Sequence, residues 1–265
     1  MSLTFHRTFS FSRSSVSKVL VVAHEHPGFK QNDLARSTDL GTVYQEAMPR
    51  YAMRAGLLTK GNQLTHLGEY AVARDPYLER PSTQWLLHYH LSAPHGSTAF
   101  WHFLVRQRFV PGNMFNADDL VADLTGFLAQ ETGNIPAPRS LRSTVTVFTG
   151  TYVKPDGLAR LGLLEEGSDA TYRVPTVDAP DTWALGYALA DYWSANFSGR
   201  LTINLDDLVH GGFAATFLLG EDRLIQLLLQ LKQEGMVDLY RISRPYQVVL
   251  LQPSAEYALQ KLYEG

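Results

Sequence analysis

The sequence predicts a mainly α fold with small β-ribbons, arranged as tandem winged helix-turn-helix-like units joined by a helical middle. Three observations lead there. A glycine followed by two apolar residues recurs as Gly56-Leu57-Leu58, Gly162-Leu163-Leu164 and Gly235-Met236-Val237, each time after a helical pattern. Ahead of the middle copy, Leu141, Val145, Phe148 and Tyr152 recur at spacings of four, three and four, which puts them on one helical face. Behind it, a polar turn at 165–170 leads into a returning strand over 171–174. Helix, glycine turn and ribbon form the second half of a winged unit. In such a unit the second helix can enter a major groove while the hairpin leans on the backbone. Arg139, Arg142, Ser143 and Thr146 fall on the face away from the apolar stripe and are the candidate DNA contacts of this helix.

A chain of 265 residues holds one large domain or two to three small ones. The recurrence divides it into an N-terminal arm and winged-helix unit (1–80), a helical connector with a second winged-helix unit (81–176), and a C-terminal helical/winged-helix unit (177–265). Apolar content of 45% is ample for a core. The absence of cysteine removes disulfides, thiol nucleophiles and thiolate metal sites, and fits a reducing compartment. No apolar run approaches the roughly 18 to 20 residues of a membrane span, and the first residues lack the h-region of a signal peptide. A soluble, cytoplasmic protein with no membrane partner is expected. Charge is unevenly spread. Residues 1–80 carry ten Lys/Arg against seven Asp/Glu, a net +3, whereas 81–176 net −1 and 177–265 net −5. A basic front suits nucleic acid, and an acidic back suits protein or solvent.

Taken in order, Phe5, Phe9 and Phe11, set beside His6, read as anchors of a short arm from which Arg7 and Arg13 could reach a phosphate. Ser14 or Ser15 is the expected cap of a first helix carrying Val16, Val19, Leu20 and Ala23, closed by Pro27-Gly28. A short second helix starts at Asn32 or Asp33. Val43, Ala47, Tyr51 and Ala55 suggest the third, with its regular part placed from Met48 onward because Pro49 breaks a helical hydrogen bond. Arg50 and Arg54 then share one face as the best DNA contacts of the first unit, and 56–65 is the wing. Two aromatic-rich helices follow around Trp85–Leu91 and Phe100–Leu104. His88 and His90, two apart, point to nearly opposite faces and make a poor metal pair. Asn116 caps the next helix with Asp118 and Asp119 in its first turn, where negative charge suits the dipole. Asp181 caps a long helix over 182–196. Asp206-Asp207 starts a short one, and Leu224, Leu227, Leu228 and Leu231 form the stripe of the last unit's main helix. An amphipathic helix over 254–263 closes the chain.

Nucleotide-binding glycine loops, the serine-hydrolase elbow and the zincin motif are all missing. If the chain cuts DNA, its site is assembled from scattered residues, with His6 moving a proton and Arg7 and Arg13 stabilising phosphorane charge.

Several stretches in order, Phe5-His6-Arg7-Thr8-Phe9 with Arg13, Gly41…Tyr51…Ala55-Gly56-Leu57, Asp75-Pro76-Tyr77-Leu78-Glu79…Trp85-Leu86-Leu87-His88, Ser140-Leu141-Arg142 with Thr151-Tyr152-Val153, and Leu185-Gly186-Tyr187-Ala188-Leu189, resemble an SspB-like bacterial family. That family occurs in DNA phosphorothioation and phage-defence gene clusters. The resemblance implies a DNA-binding component of such a system, working beside sulfur-transfer and ATPase proteins. It also implies a nickase, a metal-dependent endonuclease that opens DNA for sulfur insertion with a divalent metal as cofactor. Arg7 stands where the family pattern has an acid, and Ser143-Thr144 follows Arg142 without one, so binding carries over better than nicking. A stand-alone winged-helix transcriptional regulator and a protein-binding adaptor are the alternatives, and a homodimer stays open.

Overall fold

The computed structural model describes residues 5–96 and 98–264, so the first four positions of the expected arm lie outside the described residues. Ser12, rather than Ser14 or Ser15, caps the first helix by accepting from the Ser15 N–H, and α1 runs Arg13–Glu25. Asp156 braces this helix start, accepting from the Ser12 hydroxyl and from both the N–H and the hydroxyl of Ser14. After α2 (Gln31–Arg36), α3 is one continuous helix over Thr42–Arg54 with Pro49 buried inside it. The regular helix starts at Thr42, ahead of the Met48 expected from the proline. Ala47, Met48, Tyr51 and Ala52 are buried with Pro49, and that burial offsets the roughly 3 kcal/mol that an interior proline costs. The expected first wing shrinks to a single antiparallel bridge between Leu58 and Leu64. Thr65 then caps α4 (His66–Arg74), a helix the sequence pattern did not announce.

Two helices, α5 (Pro81–Ser92) and α6 (Ala99–Arg108), lead to β1 (Met114–Asn116). A capping box between Asn116 and Asp119 starts α7 (Ala117–Thr132), and α8 (Pro138–Val153) follows. The strands β2 (Glu165–Glu166) and β3 (Thr171–Arg173) complete an antiparallel sheet of order β1-β3-β2. The side chain of Asp181 caps α9 (Thr182–Asn196), as expected. Beyond it come β4 (Thr202–Asn204), α10 (Leu205–His210), α11 (Phe213–Thr216) and α12 (Glu221–Gln233). The last elements are β5 (Val237–Tyr240), β6 (Gln247–Leu250) and α13 (Ala255–Glu264), with a second antiparallel sheet of order β4-β6-β5.

The recurring glycine phrase has one physical cause. Gly56, Gly162 and Gly235 all adopt left-handed backbone, with φ of +77°, +64° and +74°. That conformation is costly for residues with a Cβ and common where a helix ends. At Gly56 a Cβ would also lie 2.3 Å from the His90 ring. Among the described residues the mainly helical chain carries two small three-stranded sheets, each interleaved with helices. Its buried core extends from Phe5 to Tyr263. The last helix returns to the front of the chain, where Tyr263 stacks on Tyr70 and its hydroxyl pairs with Thr83 at 2.6 Å. Among the described residues, no helix is long and apolar enough to cross a membrane.

Candidate nucleic-acid interface

The N-terminal arm is pinned by its aromatics. Phe5 and Phe11 are buried edge-on to Tyr51, and Phe9 packs on Tyr44. Between these anchors the chain makes a tight turn, in which the Phe9 N–H donates to the His6 carbonyl at 2.9 Å. Arg7 and Thr8 pass through left-handed backbone at φ +46° and +72°, an uncommon conformation for residues with a Cβ. The turn keeps His6 inside, only 2% exposed, and leaves Arg7 on the surface. The His6 Nδ1 accepts the Thr8 N–H at 3.1 Å, so a neutral ring carries its proton on Nε2. That nitrogen lies 3.4 Å from the Thr144 hydroxyl on α8.

Arm and helix together form a pocket of about 360 Å³. His6, Arg7 and Thr8 line it from the arm, Val43 from α3, and Arg139, Ser143 and Thr144 from α8. Among the described residues no acidic side chain lines it, and the first turn of α8, the positive end of that helix, carries none. Cations, hydroxyls and an imidazole around a small open cavity suit an oxyanion such as a phosphate.

The sequence-predicted residues divide on this geometry. His6 and Arg7 meet Arg139 and Ser143 at the pocket. Arg13 stands apart, its guanidinium donating to the carbonyls of Gly157 at 2.8 Å and Pro155 at 2.7 Å, which ties α1 to the turn after α8. Arg142 is exposed and pairs with Asp118 at 3.0 Å. Thr146 is exposed and donates to the Arg142 carbonyl within its own helix. Arg50 lines a second pocket of about 390 Å³, beside Arg36 and Glu46. Arg54, four residues on, turns inward instead. Its guanidinium lies 4.2 Å from the centre of the Phe5 ring, and burial, then the charge of Arg50, pull its pKa below the usual range. Two participants went unread in the sequence, Thr144 and Glu46. Glu46 meets Arg7 at 2.7 Å. Both contacts cross between distant parts of the chain and leave no local pattern.

A second polar cluster lies wholly in the core. The His88 Nε2 faces the Thr216 carbonyl at 2.7 Å and must therefore carry the proton. Its Nδ1 then accepts from the Tyr152 hydroxyl at 2.9 Å, and that hydroxyl accepts from the Trp101 indole N–H at 2.7 Å. Burial brings the His88 pKa down to about 4, against the raising effect of the Thr216 carbonyl. Each donor of this set, the His88 and Trp101 ring N–H groups and the Tyr152 hydroxyl, has a partner, which is the signature of a structural network. As the spacing of two predicts, His90 points elsewhere, to the Tyr187 hydroxyl.

The comparisons agree with the architecture. The family described as a protein of unknown function, DUF4007, matches residues 4–261. No curated protein matches. Among solved structures, a magnesium ion-bound SspB crystal structure is similar with a TM-score of 0.80 at 18% identity, covering 98% of this chain and 87% of that one. An SspB crystal structure is similar with a TM-score of 0.78 at 20% identity and the same coverage. These likenesses establish the fold. The magnesium of the first prompts a test of the residues here. Magnesium takes an octahedral oxygen set anchored by carboxylates. The pocket offers an imidazole, hydroxyls and guanidinium groups, and among the described residues no three His, Cys, Asp or Glu side chains are grouped to hold a metal ion. The described residues that line this pocket do not fit the metal.

Proposed function

The chain belongs to the DUF4007 family, and on that premise we propose that it is the DNA-binding component of a bacterial DNA phosphorothioate-modification or related phage-defence system. The pocket that joins His6 and Arg7 of the arm to Arg139 and Ser143 of α8 carries this reading. Its donors are those that bind phosphate, and its arm side belongs to the basic part of the chain, residues 1–80. The order helix, strand, helices, strand, strand, with the first strand beside the last, occurs twice and supports winged-helix units around each sheet. The α1–α2–α3 segment, with its single bridge, is the third unit and has only a rudimentary wing. In this arrangement 1–80 and the α8 face of 81–176 meet DNA. The acidic 177–265 unit faces sulfur-transfer and ATPase partners.

The donor set favours holding a phosphate over holding magnesium, so binding ranks before nicking. If strand cleavage is retained, His6 is the proton-transfer group and Arg7 and Arg139 stabilise the phosphorane, without Arg13. Anisotropy titration of a labelled DNA duplex across salt concentrations tests the binding reading. Affinity is expected to fall as salt rises. Arg139→Ala should weaken binding by roughly tenfold and reduce the salt slope by about one, with a smaller loss for Arg142→Ala and an unchanged melting temperature in both. Unchanged affinity in both variants would refute the role assigned to α8.

A further inference from the structure

We propose that Glu46 is a specificity-determining residue of this site: it holds Arg7 as a stand-in for a nucleic-acid phosphate and releases it when a phosphodiester backbone arrives. The inference rests on the DNA-binding reading and adds a competitor to it. Glu46 lies on α3, three residues beyond Val43, which walls the arm pocket. Its carboxylate meets the Arg7 guanidinium at 2.7 Å, with the two side chains 51% and 45% exposed. A pair this wet is weak and exchanges readily. Arg50, four residues further along α3, is at the spacing of an ordinary helical ion pair, yet the carboxylate reaches across to the arm.

Position gives Glu46 its consequence. Among the described residues lining the two pockets it is the one acidic side chain, and it joins them: it lines the α3 pocket with Arg36 and Arg50 and pairs with Arg7 of the arm pocket. A single small anion in the arm pocket must displace the carboxylate for one contact. A phosphodiester backbone brings several charges and can engage cations on both sides of α3 together. Glu46 therefore penalises small anions more than it penalises nucleic acid. The arm is already prepared for the exchange. Buried Phe5 and Phe11 fix the backbone, and the left-handed turn at Arg7 and Thr8 points the guanidinium outward, so only a side chain has to change partner.

A double-mutant cycle on the full chain tests this, with a labelled DNA duplex as probe and inorganic phosphate as competitor. Glu46→Gln should bind the duplex roughly two- to fivefold more tightly, the range of an exposed ion pair. Inorganic phosphate should also compete at lower concentration than with the wild type. In the Arg7→Ala background the same substitution should change nothing. A gain that persists without Arg7 would make Glu46 a general repulsive charge and overturn the exchange. No gain from Glu46→Gln, or from Glu46→Ala as a second variant, would also overturn it. If Arg139→Ala still weakens binding in that case, the pocket reading survives. Failure of the wild type to bind the duplex at low salt would overturn the pocket reading and the exchange together.

Discussion

His6 and His88 are both buried, and both touch α8, yet their surroundings are opposite in kind. His88 meets the last turn of the helix through Tyr152, and its hydrogen bonds run on to Trp101 and Thr216 without reaching solvent. His6 meets an earlier turn of the helix through Thr144 and forms the wall of an open pocket beside Arg7 and Arg139. The helix sequence explains the contrast. Residues 147–152 are buried throughout, whereas Arg139, Arg142 and Thr146 are exposed. One helix therefore holds the core together at its end and presents a cationic face at its start. A buried histidine by itself says little about function. What separates the two is whether its partners stay inside the core or open onto cations.

The contrast can be broken at its closed end first. Tyr152→Phe removes the hydroxyl that satisfies both Trp101 and His88, leaving two buried polar groups unpaired, and should cost on the order of 3–4 kcal/mol in denaturant unfolding. Its affinity for DNA should stay at the wild-type value once the protein is folded. A variant that loses binding while keeping its stability would assign the network to function.

The pH response of the same end is next. His88 has a folded pKa of about 4, below its unfolded value near 6.5, so the unfolded chain binds the extra proton first. Its contribution is complete above pH 6.5 and is lost as pH falls from there to about 4, amounting to roughly 3 kcal/mol. Burial also lowers His90 and His102, so the comparison is between wild type and His88→Gln. The variant should show a shallower loss of stability between pH 7 and pH 4. An identical slope would mean that His88 is not held neutral.

The smallest effect sharpens the open end. Arg54→Met keeps a long side chain over Phe5 but removes the charge. DNA affinity should change by less than about 0.5 kcal/mol, because this half-buried guanidinium is held over the arm's aromatic ring. A tenfold loss would return Arg54 to the interface.

Much of the fold was legible because it is local. Asn116 and Asp181 announced their helices by cap chemistry, the stripe of Leu224, Leu227, Leu228 and Leu231 is buried as its spacing requires, and the repeated glycine marks three left-handed turns. What stayed hidden is tertiary. Strand β1 has only three residues and exists through its pairing with β3. Arg13 looked like a phosphate ligand until the turn at 155–157 supplied its carbonyls. Arg50 and Arg54 share a helical spacing, but the arm's Phe5 draws Arg54 inward. The site itself joins residues 6–8 to residues 139–144, and no spacing rule reports a contact over that distance.

Hydrogen exchange with and without a DNA duplex addresses the central claim most directly, because it locates the interface without changing a residue. Protection is expected at residues 5–8, along α3 and in the first turns of α8, with α9 and the core around His88 unchanged. Protection confined to the β5–β6 hairpin, with none at 5–8 and 138–146, would contradict it.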